Sequence, residues 1–219
     1  MILATDVNIW VFGFFIINTL LLAYLSSVYL KQKNKTFKLF GLGLGLNAVA
    51  FLLWSYITGV QPENLNLITG VGVLFFIAAF AAFFASTVTV LKSEARKAAY
   101  VLAGLFLALL VVLRFVFFVS NPGFSPEGFF SFNTNQIVLY AYVITMSFTI
   151  MPAAYVIADK VKNNALKNCI RFGFTLIVIG TAILITSTDT YLQIINGIGM
   201  VAAFLLLAIS HSIYKLNAK

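Results

Sequence analysis

Fourteen residues of this 219-residue chain are Lys or Arg. Thirteen of them lie in or beside short polar stretches between long apolar runs. The exception is Arg114, inside Leu109-Leu110-Val111-Val112-Leu113-Arg114-Phe115-Val116-Phe117. Placing an arginine in the middle of a membrane helix costs at least a few kcal/mol, and less toward the interface. The guanidinium therefore needs a reason to be there. One chemistry is the holding of an anionic group of a ligand or lipid; the alternatives are snorkelling to water, or an ion pair with Asp189 or Glu127. Other polar residues also fall inside apolar runs: Asn18, Asn47, Gln193 and Asn196, with Tyr140, Tyr142 and Thr145. Buried amides need partners in an apolar medium, so they mark helix contacts or a pocket. The candidate ligand-binding set is Arg114, Asn18, Asn47, Tyr140, Asp189, Gln193 and Asn196. Pro152 is a candidate hinge, because a proline inside a helix frees the carbonyl four residues earlier, that of Phe148.

Catalysis finds little support in the same residues. The lone histidine, His211, and the lone cysteine, Cys169, with no carboxylate cluster inside a run, build no zinc, haem or iron–sulfur site of ordinary composition. No cofactor, metal or catalytic residue is expected, and the protein reads as a non-enzyme. Asp159, next to Lys160, reads as a solvated loop residue. Gly41-Leu42-Gly43-Leu44-Gly45 lacks the Gly-Lys-Ser/Thr ending of a phosphate loop, and with Ala95, Ala99 and Ala103 it reads as a surface for close helix packing.

The elements that must position these residues are membrane helices. The chain is 62% hydrophobic and 9% charged, against roughly 45–50% and about 25% for a soluble domain. That balance excludes a soluble enzyme, a disordered chain and a nucleic-acid module. Seven runs reach the length of about 20 residues that spans a bilayer core: approximately 8–30, 39–58, 65–91, 98–119, 136–157, 169–186 and 191–213. The expected fold is an all-α polytopic bundle of seven helices forming one domain over residues 1–219, with no separate soluble domain. Met1–Ser26 reads as a retained helix, since no Lys or Arg precedes Lys31. No lipidation motif is visible.

The basic residues fall between runs one and two, three and four, and five and six, and after run seven. The other connections carry Glu63, Glu127 and Asp189, and Asp6 precedes run one. The positive-inside rule puts the N-terminus outside and the C-terminus in the cytosol of a cell membrane crossed several times, with anionic lipids at the cytosolic face. Trp10, Trp54 and Tyr56 are expected as aromatic anchors at the outer boundary, and Tyr29, Tyr100, Tyr155 and Tyr214 at the inner one. The Asn34-Lys35-Thr36 sequon then faces the cytosol and is silent. The connection Ser120–Asn135 holds phenylalanines 124, 129, 130 and 132, which should cover the bundle mouth or dip into the interface.

Runs three and seven share a pattern, Leu65-Asn66-Leu67-Ile68-Thr69-Gly70-Val71-Gly72 against Leu192-Gln193-Ile194-Ile195-Asn196-Gly197-Ile198-Gly199. It raises a three-plus-one-plus-three parallel repeat. The layout resembles three families by topology alone. Microbial rhodopsins attach retinal to a lysine in the last span, and Tyr191–Ser212 has no Schiff-base lysine. Three-plus-one-plus-three sugar facilitators carry prolines in repeated helices, and here Pro152 alone lies within a span. Seven-span sensory regions of bacterial signalling proteins share the layout without a fixed motif. No family is assigned. The leading expectation is a sensory or receptor-like subunit that binds an unknown small-molecule ligand or lipid in an outward-facing cavity. Because the tail after Ile213 is short, such a subunit would signal through a membrane or cytosolic protein partner. The alternatives are a small facilitative transporter and a structural subunit of a larger membrane complex. No nucleic-acid partner is expected.

Overall fold

Seven helices account for the apolar runs in the computed structural model. They are α1 (Asp6–Leu30), α2 (Lys35–Val60), α3 (Leu65–Val88), α4 (Ser93–Val112), α5 (Gln136–Lys160), α6 (Asn164–Thr186) and α7 (Thr190–Ile213). A π-helical turn, Leu113–Phe117, continues α4, and a two-residue antiparallel ladder pairs β1 (Gly123–Phe124) with β2 (Phe130–Ser131). The structure describes the backbone of residues 6–60, 62–117, 121–124, 130–131, 134–186 and 190–214, and the side chains of 11–60, 62–117, 121–123, 134–183 and 195–214. All seven helices are long and apolar enough to cross a membrane. The chain is a multi-pass membrane protein with an all-α, seven-helix bundle fold.

Three helices begin four or five residues before their apolar runs: α2 at Lys35, α4 at Ser93 and α6 at Asn164. Apolar length measures the hydrocarbon core, whereas backbone hydrogen bonding continues into the interface as long as the helix start is capped. Asparagines supply such caps at α2, α5 and α6, whereas Lys92 before α4 makes no side-chain cap. The side chains of Asn34, Asn135 and Asn163 accept the N–H groups of Thr36, Ile137 and Leu166 at 2.8, 2.9 and 3.0 Å. The sequon asparagine is thus the cap of α2.

The helices form a ring with one outlier. The middle helix of each triplet holds its flanks: α2 packs on α1 and α3, and α6 on α5 and α7. The ring closes where α3 meets α5 and α7 returns to α1, while α4 rests mainly against α3 on the outside. This matches a three-plus-one-plus-three order. One of the two glycine pairs aligned by the repeat pattern does not perform equivalent tasks, however. Gly72 is buried against the Trp54 indole, whereas the aligned Gly199 is exposed with open space beside it. Polar and glycine positions coincide in sequence, but the faces they present differ.

Alternation of direction puts the turns α1–α2, α3–α4 and α5–α6 and the end of α7 at one end of the bundle, the basic end. The α2–α3 connection, with Glu63, marks the other, the acidic end. At the basic end Tyr29 is fully buried. Its ring meets Phe37 and Phe40 at 6.0 and 5.0 Å between centroids, and Phe40 in turn meets Phe83 and Phe174 at 5.2 and 5.1 Å. Tyr29 therefore belongs to the core and not to a lipid-facing belt. Tyr100 and Tyr155 are exposed, as belt residues are. The Tyr29 hydroxyl lies 2.8 Å from His211 Nε2, and His211 Nδ1 lies 2.7 Å from the Leu207 carbonyl. A ring that donates from Nδ1 and accepts at Nε2 satisfies both contacts in the neutral form. This aromatic cluster joins α1, α2, α3, α6 and α7 and seals the basic end of the ring.

Asp159 is not a free loop residue. At the end of α5 its Oδ1 takes Lys167 Nζ at 2.8 Å and Arg171 Nη2 at 2.6 Å, both from α6. Arg171 also lies over the Tyr155 ring, 5.2 Å from its centroid. The acid two residues after Ile157 thereby pins the α5–α6 turn. The α1–α2 contact in the bundle's basic half is a close backbone approach: a Cβ on Gly41 would stand 2.9 Å from the backbone nitrogen of Leu30. Ser26 Oγ donates to the Gly41 carbonyl at 2.7 Å across the same contact. The Gly-rich run does pack a helix closely, as its composition suggests.

Candidate functional site

Arg114 sits in the π-helical turn, four residues after Leu110, the one buried side chain of α4. It is 4% exposed. π-turns widen a helix and recur at functional sites. Here the turn rests on α3, where a Cβ on Gly70 would touch Phe115 at 3.3 Å. The Arg114 guanidinium lies 5.5 Å from the centroid of the Phe115 ring and within electrostatic range of the Tyr142 hydroxyl on α5. The side chain is therefore turned into protein, near the acidic end, and does not lie along the lipid-facing surface.

Around it stands an interior face built by four helices. Tyr142 is 6% exposed, and its ring meets Phe76 of α3 edge-on at 6.2 Å. Phe76 meets Trp54 of α2 at 5.7 Å, and the Trp54 indole fills the space left by Gly72: a Cβ there would stand 2.5 Å from Nε1. Trp54 is 7% exposed and so faces the core, not the interface as its depth suggests. One turn before Gly72, Thr69 is fully buried. Phe15 of α1 continues the face, 6.0 Å from Trp54, and one turn further along α1 lies Asn18, fully buried.

Four buried polar atoms on this interior have no hydrogen-bond partner among the described residues: Tyr142 hydroxyl, Thr69 Oγ1, Asn18 Oδ1 and Asn47 Oδ1. Asn18 uses its Nδ2 on the Phe14 carbonyl at 2.7 Å, which leaves its oxygen facing inward. The contrast at Thr69 is informative. Thr19, Thr58, Thr145, Thr149 and Ser210 each donate to the carbonyl four residues back. Thr69, equally buried, does not. Leaving a buried donor or acceptor unmet costs roughly 1–3 kcal/mol, and such groups are rare enough in folded proteins to need an explanation each.

The other sequence-derived candidates divide. Asn47 is buried on α2. Asn196 is half-buried on α7, next to Gly197, whose Cβ position touches Phe14 of α1. Tyr140 stands apart from the interior face: at 54% exposed it shares a stripe with Ile137, Ile144 and Phe148, all more than half exposed, on the outward side of α5. Two residues later, on the opposite face, Tyr142 takes the interior position. Pro152 lies half-buried inside α5, which continues as helix through it. Gln193 belongs to α7, but its side chain lies outside the described residues, and Asp189 and Glu127 lie outside them altogether. Of the loop phenylalanines, 124 and 130 are described in backbone only, within the ladder, and 129 and 132 lie outside the described residues. Thr69 and Trp54 were missed as site residues; the visible signal for Thr69 was the polar Thr-Gly pair inside an apolar run.

Among the described residues, no group of three His, Cys, Asp or Glu side chains comes together. The comparisons with known proteins match nothing: no family model, no curated protein and no solved structure.

Proposed function

We propose that this membrane protein is a non-enzymatic receptor-like subunit that binds a small anionic molecule, or the anionic group of a lipid, in the interior of the bundle near its acidic end. The observation that carries the reading is Arg114 withdrawn into the protein beside Tyr142, on a face where the Tyr142 hydroxyl, Thr69 Oγ1 and Asn18 Oδ1 have no hydrogen-bond partner among the described residues. A guanidinium presents five fixed donors suited to carboxylate or phosphate. The tyrosine hydroxyl adds a donor, and the unmet amide oxygens suit a ligand that also carries N–H or O–H groups. The positive-inside rule places the basic end in the cytosol of a cell membrane, so the ligand arrives from outside.

The aromatic seal around Tyr29, Phe40 and Phe174 supports binding over passage, since it closes the basic end in this conformation. The facilitator alternative draws on the three-plus-one-plus-three order of the helices and requires that seal to open. Thermal unfolding of the purified protein in a panel of small carboxylates and phosphates tests the proposal. A bound anion at 100 times its Kd stabilises by about 2.7 kcal/mol, and Arg114→Gln should abolish that shift. An equal shift in the folded variant defeats the assignment. Flux of the stabilising anion into liposomes, lost with Arg114→Gln, would replace the receptor reading with the transporter one.

A further inference from the structure

The helix that the bundle holds least is α4. From Ala98 to Leu109 each of its residues is exposed or half-buried. Its inner stripe runs Arg96, Ala99, Ala103, Leu107, Leu110, Arg114, at helical spacing, and the two arginines fasten its ends. Arg96 Nη2 donates to the carbonyls of Thr89 and Leu91 at 3.0 and 2.8 Å, while Arg114 enters the bundle. Between them Ala99 and Ala103 are too short to fill the gap to α3 and α5. A cleft of about 310 Å³ remains, walled by Phe80, Phe84, Phe106 and Phe148.

Three properties define what fits there. First, the walls are almost wholly apolar. The two hydroxyl residues at the floor, Thr145 and Thr149, spend their protons on the carbonyls of Ala141 and Thr145. No polar group recognises the occupant, so the occupant is a hydrocarbon. Second, the cleft follows α4 from Ala99 to Leu107, about 12 Å at 1.5 Å per residue. That is close to the depth of one leaflet in a core of about 30 Å. Third, its near end meets the basic end of the bundle. Lys92 and Lys97 are exposed there, and neither forms a salt bridge among the described residues. Glu94 on the same turn leaves a positive excess with Arg96. A hydrocarbon chain in the cleft thus continues into a cationic patch at headgroup level.

We infer that the α3–α4–α5 cleft is a binding site for one anionic phospholipid, with an acyl chain between Ala103 and Phe148 and the phosphate at Lys92 and Lys97. The site is separate from the interior face around Arg114 and does not depend on that reading. Its occupant completes the seat of α4, which touches α5 far less than it touches α3.

Native mass spectrometry of the detergent-purified full chain tests this, with added phosphatidylglycerol or phosphatidylcholine. Wild type should retain one phosphatidylglycerol. A lysine at an anionic lipid surface contributes about fivefold, so Lys92→Gln with Lys97→Gln should reduce phosphatidylglycerol retention at least about tenfold and leave phosphatidylcholine unchanged. Ala103→Leu, which fills the cleft, should remove both lipids. Gly104→Leu adds a larger side chain one residue away, where a Cβ meets nothing within 4 Å, and should keep them. Retention unchanged in Ala103→Leu overturns the site. So does an equal response of the two lipids to loss of the lysines, a measurement that stands even if Ala103→Leu fails to fold. A dimer mass lost with Ala103→Leu in place of a lipid overturns it in favour of a second copy on this face.

Discussion

At the scale of residues the account turns on Arg114, Tyr142 and Thr69, three buried polar side chains, of which the Tyr142 and Thr69 hydroxyls have no hydrogen-bond partner among the described residues. Thr69 gives a prediction with opposite signs. Thr69→Val keeps the shape and removes an unmet hydroxyl, so the ligand-free protein should unfold at the same or a higher temperature, by up to about 1 kcal/mol. The same variant should bind the stabilising anion more weakly if the hydroxyl faces it. A loss of stability without ligand, in thermal unfolding of the purified protein, contradicts the reading that Thr69 lacks a protein partner. Tyr29 is the control at the other end of the bundle. Tyr29→Phe deprives His211 Nε2 of its donor and should cost roughly 1–3 kcal/mol, measured by the same unfolding experiment, while leaving anion binding intact.

At the scale of elements, the depth of each residue was legible in the sequence and its direction was not. Seven runs, their order and the placement of Asn18, Asn47 and Arg114 within spans follow from hydropathy alone. Tyr140 against Tyr142, and Trp54 and Tyr29 against a lipid-facing belt, do not. In water a helix shows which face is buried by alternating polar and apolar sides. In a bilayer the lipid is as apolar as the core, so that contrast disappears. The exposed Ile137, Ile144 and Phe148 are no more polar than the buried Val138, Met146 and Ile150. The helix caps at Asn34, Asn135 and Asn163 and the Asp159 clamp were also overlooked, although an asparagine directly before a helix is a readable start signal. Close packing, by contrast, was readable from the glycine run. Gly41→Ala should destabilise the α1–α2 contact by about 1–3 kcal/mol, because a methyl group meets the Leu30 backbone there. Gly104→Ala, in open space, should stabilise α4 by about 1 kcal/mol. Unfolding of the two variants side by side checks both signs.

At the scale of the whole molecule, a ring of six helices is sealed by aromatic rings at its basic end, carries its unmet polar groups on the interior, and wears α4 on the outside. The topology predicts which end faces which side. In a Cys169→Ser background, a membrane-impermeant maleimide should label Glu63→Cys in intact cells and leave Lys33→Cys unlabelled until the cells are opened. The reverse pattern would invert the bundle and put the interior face toward the cytosol. The ring also separates the two proposed sites by chemistry: an apolar cleft under α4, proposed for a lipid chain, and a polar interior, proposed for an anion. The central claim concerns the second, and its most direct measurement is an experimental density map of the protein with the anion that most raises its unfolding temperature. The account predicts density for that anion within hydrogen-bond reach of the Arg114 guanidinium and the Tyr142 hydroxyl. A map that shows Arg114 bound to protein alone, with the anion elsewhere, would contradict it.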